Sequence, residues 1–356
     1  MQILEYFDTQ SPQIDNFVLR KCQLPLEGDV NLYGLRGSGK TALILDYLSQ
    51  EENFLYVDLD DAKVLLHRLC LDKLNLYIKE NAIKLLVLDH YIEGYFTDLP
   101  KVERIILLSR SSLHASKLEN IALFPLDYEE FLAFESTASQ QHSFNHFLRL
   151  GTLPLLARNP KNANHAMKSF FYTSFDKQEQ KLLLILAQHH TKHLSIYQIY
   201  CLAKEAFKIS KDWLYKTMKQ FEDEKIVLFI KDRYQKSGKK MLLFDFAFAK
   251  YLSLGQPFIL QFDTMVALAL MKHHIFVETL GIHGYISQDN ILIIPAPFES
   301  EESLWAKSQN KFSLYKKHNI QKVMIITISN SYEFSINKLY FEALPFDEWS
   351  IISEEK

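Results

Sequence analysis

The most informative segment of this sequence is Gly34-Leu35-Arg36-Gly37-Ser38-Gly39-Lys40-Thr41. It satisfies the pattern G-x-x-x-x-G-K-[ST], in which a glycine-rich loop turns its backbone N–H groups toward phosphate oxygens. Lys40 offers a cation to the β- and γ-phosphates, and Thr41 offers a hydroxyl group to Mg²⁺. We therefore expect these eight residues to bind a nucleotide, with Thr41 as a metal ligand.

The flanking sequence fits this interpretation. Asp29–Tyr33 reads as a short strand before the loop, and Thr41–Leu48 reads as a helix after it. The N-terminal end of that helix favours an anion. The alternative is a glycine-rich turn that merely starts a helix, but such a turn does not explain why Lys40 and Thr41 follow the last glycine.

Apolar runs recur along the first third of the chain and alternate with helical segments. They are Phe54–Asp58, Leu85–Asp89, Arg104–Ser109 and Ile121–Phe124, with a helical pattern from Ala62 to about Glu80. Uninterrupted apolar strands alternating with helices indicate a parallel sheet that is covered on both faces. The expected fold class is α/β, with the parallel sheet of a P-loop NTPase.

Two strand ends carry candidate site residues. Asp89, placed beside the P-loop strand, would hold Mg²⁺ through water. The Phe54–Asp58 strand falls between the P-loop and Asp89, as in the additional-strand class of P-loop ATPases. Ser109 ends the following strand, where its hydroxyl could reach the γ-phosphate or the attacking water. The plain alternatives are an aspartate that caps the next turn and an ordinary strand-end serine.

Composition bounds the remaining possibilities. A chain of 356 residues predicts two or three domains, and a net charge of −3 means that any basic surface must be local. Cys22, Cys70 and Cys201 stand too far apart to indicate a disulfide framework or a zinc site, so we expect reduced thiols in the cytoplasm. The N-terminal residues carry no secretion signal, and no apolar run has membrane-spanning length.

The middle of the chain predicts three helices followed by a β-hairpin, which is the order of a winged helix. The third helix carries Lys211, Lys216 and Lys219. The hairpin carries Lys231, Arg233, Lys236, Lys239 and Lys240, and Tyr234 could pack on sugar. These cations could contact double-stranded DNA. Acidic residues interleave with them, so a solvated face or a protein-docking module are the alternatives.

The chain resembles the prokaryotic, archaeal-type AAA-like P-loop ATPases that carry a winged helix and a restriction-endonuclease-like C-terminal domain. The residues behind the resemblance are the loop with Arg36, the strand ending in Asp89, the polar turn Ser109–Ser112, the segment Pro125–Leu132, and the turn Gly151–Pro154. It spans nearly the whole chain and implies ATP as the nucleotide, with Mg²⁺.

The departures from the resemblance concern hydrolysis. The family places a glutamate directly after the aspartate, as the base that polarises water, whereas this sequence has His90. His90 could accept a proton, and Glu93 lies nearby as a substitute, but positioning dominates phosphoryl transfer. We therefore expect ATP binding and leave hydrolysis open. Arg110 and Arg149 are candidates for an arginine finger, with solvated surface positions as the alternative.

The C-terminal third departs further. Asp263 stands in place of the family's helix glutamate, and Asp289 stands where a metal-binding aspartate would lie. The strand that should end in Glu-x-Lys instead reads Ile294-Pro295-Ala296-Pro297. Prolines can neither ligate Mg²⁺ nor move a proton, so nuclease activity is not expected.

The expected organisation has four parts, at residues 1–130, 131–175, 176–254 and 255–356. They correspond to a P-loop ATPase core, a helical lid, a winged helix and a small degenerate nuclease-like α/β domain. The expected function is an ATP-dependent switch with weak or uncertain hydrolysis. A DNA-acting ATPase and a protein-docking scaffold with a structural nucleotide are the alternatives.

Overall fold

The computed structural model describes residues 2–10, 14, 17–115, 117–135, 140–234, 238–273 and 276–352. The chain forms two compact units. The first comprises the chain up to Pro125 together with Asp223–Lys225, and the second comprises Leu126–Glu222 and the chain from Ile226 onward. The finer division into four parts stays a prediction.

The first unit is an α/β unit built around five strands. The strands are β1 Asp29–Tyr33, β2 Phe54–Asp58, β3 Leu85–Asp89, β4 Arg104–Ser109 and β5 Leu118–Ala122. The helices are α1 Gln2–Thr9, α2 Lys40–Leu48, α3 Ala62–Leu66 and α4 Leu71–Glu80. The first four strands have the bounds expected for the segment before the glycine-rich loop and for the first three apolar runs, because their apolar residues are largely buried in the sheet.

The five strands form one parallel sheet in the order β2-β3-β4-β1-β5. The expectation that the Asp89 strand lies beside the P-loop strand is wrong, because β4 is inserted between β3 and β1. The β2 strand precedes Asp89 in the chain but occupies the edge of the sheet. The central strand of the sheet is β4, which is buried along its length after Arg104. A central strand must be buried on both faces.

Both faces of this sheet are covered. Side chains that alternate along β3 enter two separate apolar clusters, since successive residues of a strand point to opposite faces. Leu86 and Leu88 pack with residues of α1 and α4. Leu85 and Val87 pack with residues of α2. The sheet is therefore a fixed platform from which the loops at its carboxyl edge project.

Two expectations for this unit need correction. The helical pattern from Ala62 to Glu80 is interrupted after α3, and α4 begins anew at Leu71. Leu65 and Leu66 are 84% and 86% exposed, so the apolar spacing there does not mark a buried face. The fifth strand lies earlier than Ile121–Phe124, because β5 is an edge strand that exposes Glu119 and Asn120 and therefore lacks an apolar run.

The second unit contains eleven α-helices among its described residues. They are α5 Tyr128–Phe134, α6 Gln140–Leu150, α7 Pro154–Arg158, α8 Ala163–Ser174, α9 Lys177–Gln188, α10 Ile196–Ala206, α11 Lys211–Asp223, α12 Phe246–Leu252, α13 Phe258–His273, α14 Glu301–Lys317 and α15 Phe346–Ile352. The last residue of α11, Asp223, falls to the first unit.

The strands of the second unit form two sheets. They are β6 His193–Leu194, β7 Val227–Lys231, β8 Lys239–Leu243, β9 Val277–Thr279, β10 Tyr285–Ser287, β11 Ile291–Pro295, β12 Lys322–Thr327, β13 Tyr332–Ile336 and β14 Leu339–Pro345. A small antiparallel sheet has the order β6-β8-β7, next to α9, α10 and α11 in the sequence. A mixed sheet has the order β13-β14-β12-β11-β10-β9.

The buried histidine His190 should make the second unit sensitive to acid. Its Nδ1 accepts a hydrogen bond from the Leu243 N–H (3.2 Å), so its Nε2–H donates to the Thr264 hydroxyl (2.7 Å). That hydroxyl donates in turn to the Leu260 carbonyl (2.9 Å). This neutral tautomer satisfies every partner, whereas protonation would place an N–H against an N–H. Burial accordingly lowers the pKa of His190 to about 3.

We therefore expect His190→Gln to weaken the acid sensitivity of folding. A histidine whose pKa is lower in the folded state loses stability as the pH falls below the unfolded pKa of about 6.5. At pH 5 this amounts to about 2 kcal/mol, which the variant should not lose relative to pH 7.5. Urea unfolding at both pH values measures the difference. Equal pH dependence of the two proteins would contradict the assignment.

Candidate nucleotide-binding site

The loop between β1 and α2 has positive φ at all three of its glycines, and two of them show why glycine is needed. Gly34 has φ 151°, and a Cβ added there would lie 2.4 Å from the carbonyl oxygen of Leu123. Gly39, at the N-cap of α2, has φ 99° in the left-handed region. An L-residue is disfavoured at both positions, so the glycines of the motif are required by the backbone itself.

The loop delivers the N-terminus of α2 without a side-chain cap. No side chain caps α2, so its first N–H groups and its dipole remain available to an anion. The Ser38 side chain is fully buried, and its hydroxyl has no hydrogen-bond partner among the described residues. An uncapped helix start and an orphaned buried hydroxyl are features that a phosphate group would satisfy.

Lys40 folds back over the loop. Its Nζ donates to the carbonyl oxygens of Gly34 (2.7 Å) and Leu35 (3.0 Å). Burial lowers the pKa of Lys40 to about 8; the cations Arg110 and Arg36 act in the same direction, and the carboxylates of Asp89 and Glu224 oppose them. The ammonium group is thus held in the loop without a full counter-charge, which a polyphosphate would supply.

Asp89 lies at the centre of a hydrogen-bond network beside the loop. Its carboxylate is 1% exposed and accepts from the Thr41 hydroxyl (2.7 Å) and the Tyr56 hydroxyl (2.9 Å) at Oδ2. The backbone N–H of His90 donates to its Oδ1 (2.7 Å). The two residues expected to serve Mg²⁺ are therefore brought together. Thr41 lies on α2, which follows β1, and Asp89 ends β3, although β1 and β3 are not neighbours in the sheet.

His90 is held in an unusual backbone conformation beside a second carboxylate. Its φ is 56°, and its Nδ1 lies 2.8 Å from Oδ1 of Asp58. The hydrogen bond to Asp58 raises the pKa of His90, burial opposes the rise, and Asp89 adds to it. For Asp58, burial alone would raise the pKa, but hydrogen bonds from His90 and the Asp60 N–H lower it. Asp58 therefore orients the His90 ring.

The other predicted catalytic residues lie in different surroundings. Glu93 is exposed, and its Oε1 accepts a long hydrogen bond from the His114 N–H (3.4 Å). Ser109 is buried, with its hydroxyl 2.7 Å from Oδ1 of Asn31 and 2.6 Å from the Ser111 carbonyl. The Ser109 hydroxyl is thus engaged with its own sheet, and a role for either residue in hydrolysis stays a prediction.

The two candidate arginine fingers also differ in their positions. Arg110 follows β4, is exposed, and is close enough to Lys40 to lower the pKa of that lysine. Arg149 is exposed on α6 in the second unit. Of these two candidates, Arg110 is therefore the one that acts electrostatically on Lys40.

Three residues of the site escaped the sequence reasoning. Asp58 ends β2 in register with Asp89, and the strand-end rule used for Asp89 could have found it. Tyr56, two residues earlier, carried no signal. Arg20 is 5% exposed and donates to the carbonyls of Ser38 (2.7 Å) and Phe124 (2.8 Å). Nothing in the sequence marks Arg20, which belongs to no helix or strand. Its guanidinium group links the loop, at Ser38, to the segment after β5, at Phe124.

The described cations of the β-hairpin are mostly engaged within the second unit, and their contact with DNA stays a prediction. Arg233 donates to Glu278 (2.8 Å) and Asn290 (2.9 Å), and Lys240 pairs with Asp263 (2.6 Å). The Tyr234 hydroxyl is hydrogen bonded to His318. Lys239 lies 3.8 Å from Glu222. Lys236 lies outside the described residues, and Lys231 is exposed.

The acidic residues of the C-terminal third are likewise placed by the structure. Asp263 binds Lys240 and accepts a hydrogen bond from the Tyr285 hydroxyl (2.8 Å), whereas Asp289 is exposed. Across the described ranges, no three His, Cys, Asp or Glu side chains are grouped so as to hold a metal ion. Within the same ranges, no helix is both long and apolar enough to span a bilayer.

No protein-family model and no curated protein matches this chain. Solved structures do. A Walker-type ATPase of Pyrococcus abyssi is 13% identical with a TM-score of 0.44, over 64% of this chain and 91% of that one. A signal transduction ATPase with numerous domains and a tetratricopeptide repeat sensor, from Pyrococcus horikoshii, is 14% identical with a TM-score of 0.33.

The match to the Pyrococcus horikoshii protein covers 73% of this chain but only 46% of that protein. Drosophila ORC bound to AT-rich DNA and Cdc6 is 15% identical with a TM-score of 0.19, over 61% of this chain and 81% of that one. With TM-scores of at most 0.44, these proteins leave the function to be inferred from the side chains of the site.

Proposed function

We propose that this protein binds ATP with Mg²⁺ at Gly34–Thr41 and acts as a nucleotide-dependent switch. The observation that carries the proposal is the convergence of Lys40, Thr41 and Asp89 at one uncapped helix start. A loop that closes around a γ-phosphate and relaxes when the phosphate is lost is a common basis for switching. ATP is favoured over other nucleotides by the family resemblance only.

The residues present fit a metal-bound triphosphate. When bound, Mg²⁺ would offset the negative charge of the phosphate groups. Thr41 would turn its hydroxyl oxygen from Asp89 toward the metal, and Asp89 would hold the metal through water. Lys40 would exchange the carbonyl oxygens of Gly34 and Leu35 for phosphate oxygens, which restores a counter-charge to its ammonium group.

Weak hydrolysis is part of the proposal. The residue after Asp89 is His90 rather than glutamate, and its Nδ1 is committed to Asp58 at 2.8 Å. Only Nε2 is then left to accept a proton from water. The ring that carries it is attached to a backbone position in the left-handed region. Because positioning dominates phosphoryl transfer, an imidazole whose reach and geometry differ from those of a glutamate supports binding better than turnover.

We expect His90→Glu to raise the rate of phosphate release at least about 10-fold above a low wild-type rate, since a positioned general base contributes about 10²- to 10⁴-fold. A phosphate-release assay measures this, with Lys40→Ala as the blank. Asp58→Asn is the matched control, because it frees His90 without supplying a carboxylate. Brisk wild-type release that both Lys40→Ala and Asp58→Asn abolish would instead support an active ATPase with an Asp58–His90 pair.

We also propose the domain types and the location that the sequence predicts. The helices α9, α10 and α11 with the hairpin β7–β8 support a winged helix, and the mixed sheet with α13 and α14 supports a nuclease-like domain without cleavage. The three widely spaced cysteines support a reducing location, the cytoplasm. A DNA-acting ATPase and a scaffold with a structural nucleotide are the alternatives, and the phosphate-release assay separates the first of these from the switch.

A further inference from the structure

A cavity of about 380 Å³ lies among five helices of the second unit. Its lining residues come from α6, α7, α8, α12 and α13, all of which belong to that unit. A cavity of this volume lies in the range of small-molecule sites. None of the residues proposed to bind nucleotide or Mg²⁺ lines it, so the cavity is separate from the nucleotide site.

More than half of the residues that line the cavity are apolar. They include Leu156, Met167, Ala247 and Phe258. Leu156 and Met167 are almost fully buried, and Phe258 is half-buried. The unbranched methionine side chain adapts its shape to what it packs against. Because small-molecule sites are lined mainly by apolar side chains with a few polar groups that fix orientation, this lining suits the hydrocarbon part of a ligand.

The charged residues that line the cavity are both cations, Arg149 and Lys250, and both are exposed. The Lys250 ammonium donates to the side-chain oxygen of Gln261 (3.1 Å), whose amide nitrogen donates to the Leu148 carbonyl (2.6 Å). Gln261 is 1% exposed, so it holds the ammonium group beside the cavity from a fixed position. In the described part of the chain neither cation forms a salt bridge. Both charges therefore remain available to an anion.

The segments that supply these cations have no acidic residues of their own. The stretch between Glu135 and Asp176 has no aspartate or glutamate, and neither has the stretch between Asp245 and Asp263, which carries Lys250. The cations of the first stretch are Arg149, Arg158, Lys161 and Lys168. The whole chain, by contrast, has a net charge of −3. A cavity lined by charges of one sign attracts ligands of the other sign.

We propose that this cavity binds a small amphipathic carboxylate. Arg149 and Lys250 hold the carboxylate group, since a guanidinium group matches its two oxygens and an ammonium group adds a charge-assisted hydrogen bond. The hydrocarbon chain lies against Leu156, Met167 and Phe258. A bare inorganic anion would leave the apolar lining uncovered, and a neutral lipid would leave the cations without a counter-charge. This inference does not rest on nucleotide binding, because the nucleotide site belongs to the first unit.

The test is calorimetric titration of the full chain with octanoate, compared with butyrate, 1-octanol and inorganic phosphate. We expect octanoate to bind saturably at millimolar concentration. It should bind at least about 10-fold more tightly than butyrate, because each buried methylene group adds to the affinity. Octanol tests the chain without the charge, and inorganic phosphate tests the charge without the chain. Both should bind more weakly than octanoate.

Two variants place the ligand in the cavity. The cation variant combines Arg149→Gln and Lys250→Gln, and we expect it to bind octanoate at least about 10-fold more weakly while its affinity for octanol changes less than about twofold. The matched control combines Lys161→Gln and Lys168→Gln, which removes the same charge from exposed positions outside the cavity. It should stay within about twofold of the wild type.

The second variant, Ala163→Leu, places a larger side chain in the lining. It should remove most of the advantage of octanoate over butyrate. The inference is overturned if octanoate gives no saturable heat, if octanol or phosphate binds as tightly as octanoate, or if the cation variant and its control lose equal affinity. Should the cation variant melt below the wild type, Ala163→Leu decides, and an unchanged preference for octanoate over butyrate there overturns the inference.

Discussion

Replacing Lys40 by alanine should lower the affinity for ATP at least about 100-fold, a loss of about 3 kcal/mol. The Lys40 ammonium lies within hydrogen-bond distance of two loop carbonyls and is buried enough for its pKa to fall to about 8. A charge that is poorly solvated before binding gains more from a phosphate than an exposed one would. Calorimetric titration of both proteins with ATP and Mg²⁺ measures the loss.

Replacing Lys40 by alanine should not lower the stability of the protein in the absence of nucleotide. A lysine whose pKa is lowered in the folded state costs stability at neutral pH, because folding must hold a charge that the unfolded chain solvates freely. Lys40→Met, which keeps the length of the side chain, is the control for packing. We expect both variants to melt at or above the wild-type temperature without nucleotide. Wild-type affinity in either variant would contradict the assigned role of Lys40.

Replacing Asp245 by alanine should destabilise the protein by about 3 kcal/mol or more. This aspartate is fully buried at the N-cap of α12. Its carboxylate accepts from the Thr152 N–H and hydroxyl (2.5 Å each) and from the Phe248 N–H (2.6 Å). Gly151 leaves room for it, since a Cβ there would lie 2.4 Å from the carboxylate. With alanine at this position, these three buried donors would lose their acceptor.

Asp245→Ser is the matched variant for this experiment. Serine can still cap α12, which preserves about 1 kcal/mol, but it cannot reach Thr152 as well. The midpoint of guanidinium unfolding should therefore fall in the order wild type, Asp245→Ser, Asp245→Ala. Burial raises the pKa of Asp245, opposed by its hydrogen bonds. A loss below 1 kcal/mol in the alanine variant would show that the carboxylate contributes less than its donors imply.

The first half of the fold could be predicted from sequence because its elements are marked by local chemistry. The apolar runs predict the bounds of β2 to β4, and the glycine motif predicts the loop and the strand β1 before it. The order of strands could not be read, because which strand occupies the centre depends on packing between elements. That is why Asp89 was expected beside β1, whereas β4 lies between them.

The site was predicted in part. Lys40, Thr41 and Asp89 follow from the chemistry of phosphate and metal binding, and the structure brings them together. Arg20 and Tyr56 act through contacts between segments that are distant in sequence, so no local pattern marks them. The acidic partners of the hairpin cations could not be predicted for the same reason, because Glu278 and Asp263, which bind Arg233 and Lys240, come from distant parts of the chain.

Calorimetric titration of the purified protein with ATP and with a slowly hydrolysed analogue, with and without Mg²⁺, tests the central claim most directly. We expect saturable binding that Mg²⁺ strengthens, and a rise in melting temperature, since ligand at 100 times its dissociation constant adds about 2.7 kcal/mol of stability. If millimolar nucleotide produced neither heat nor a change in melting temperature, Gly34–Thr41 would not be a nucleotide site.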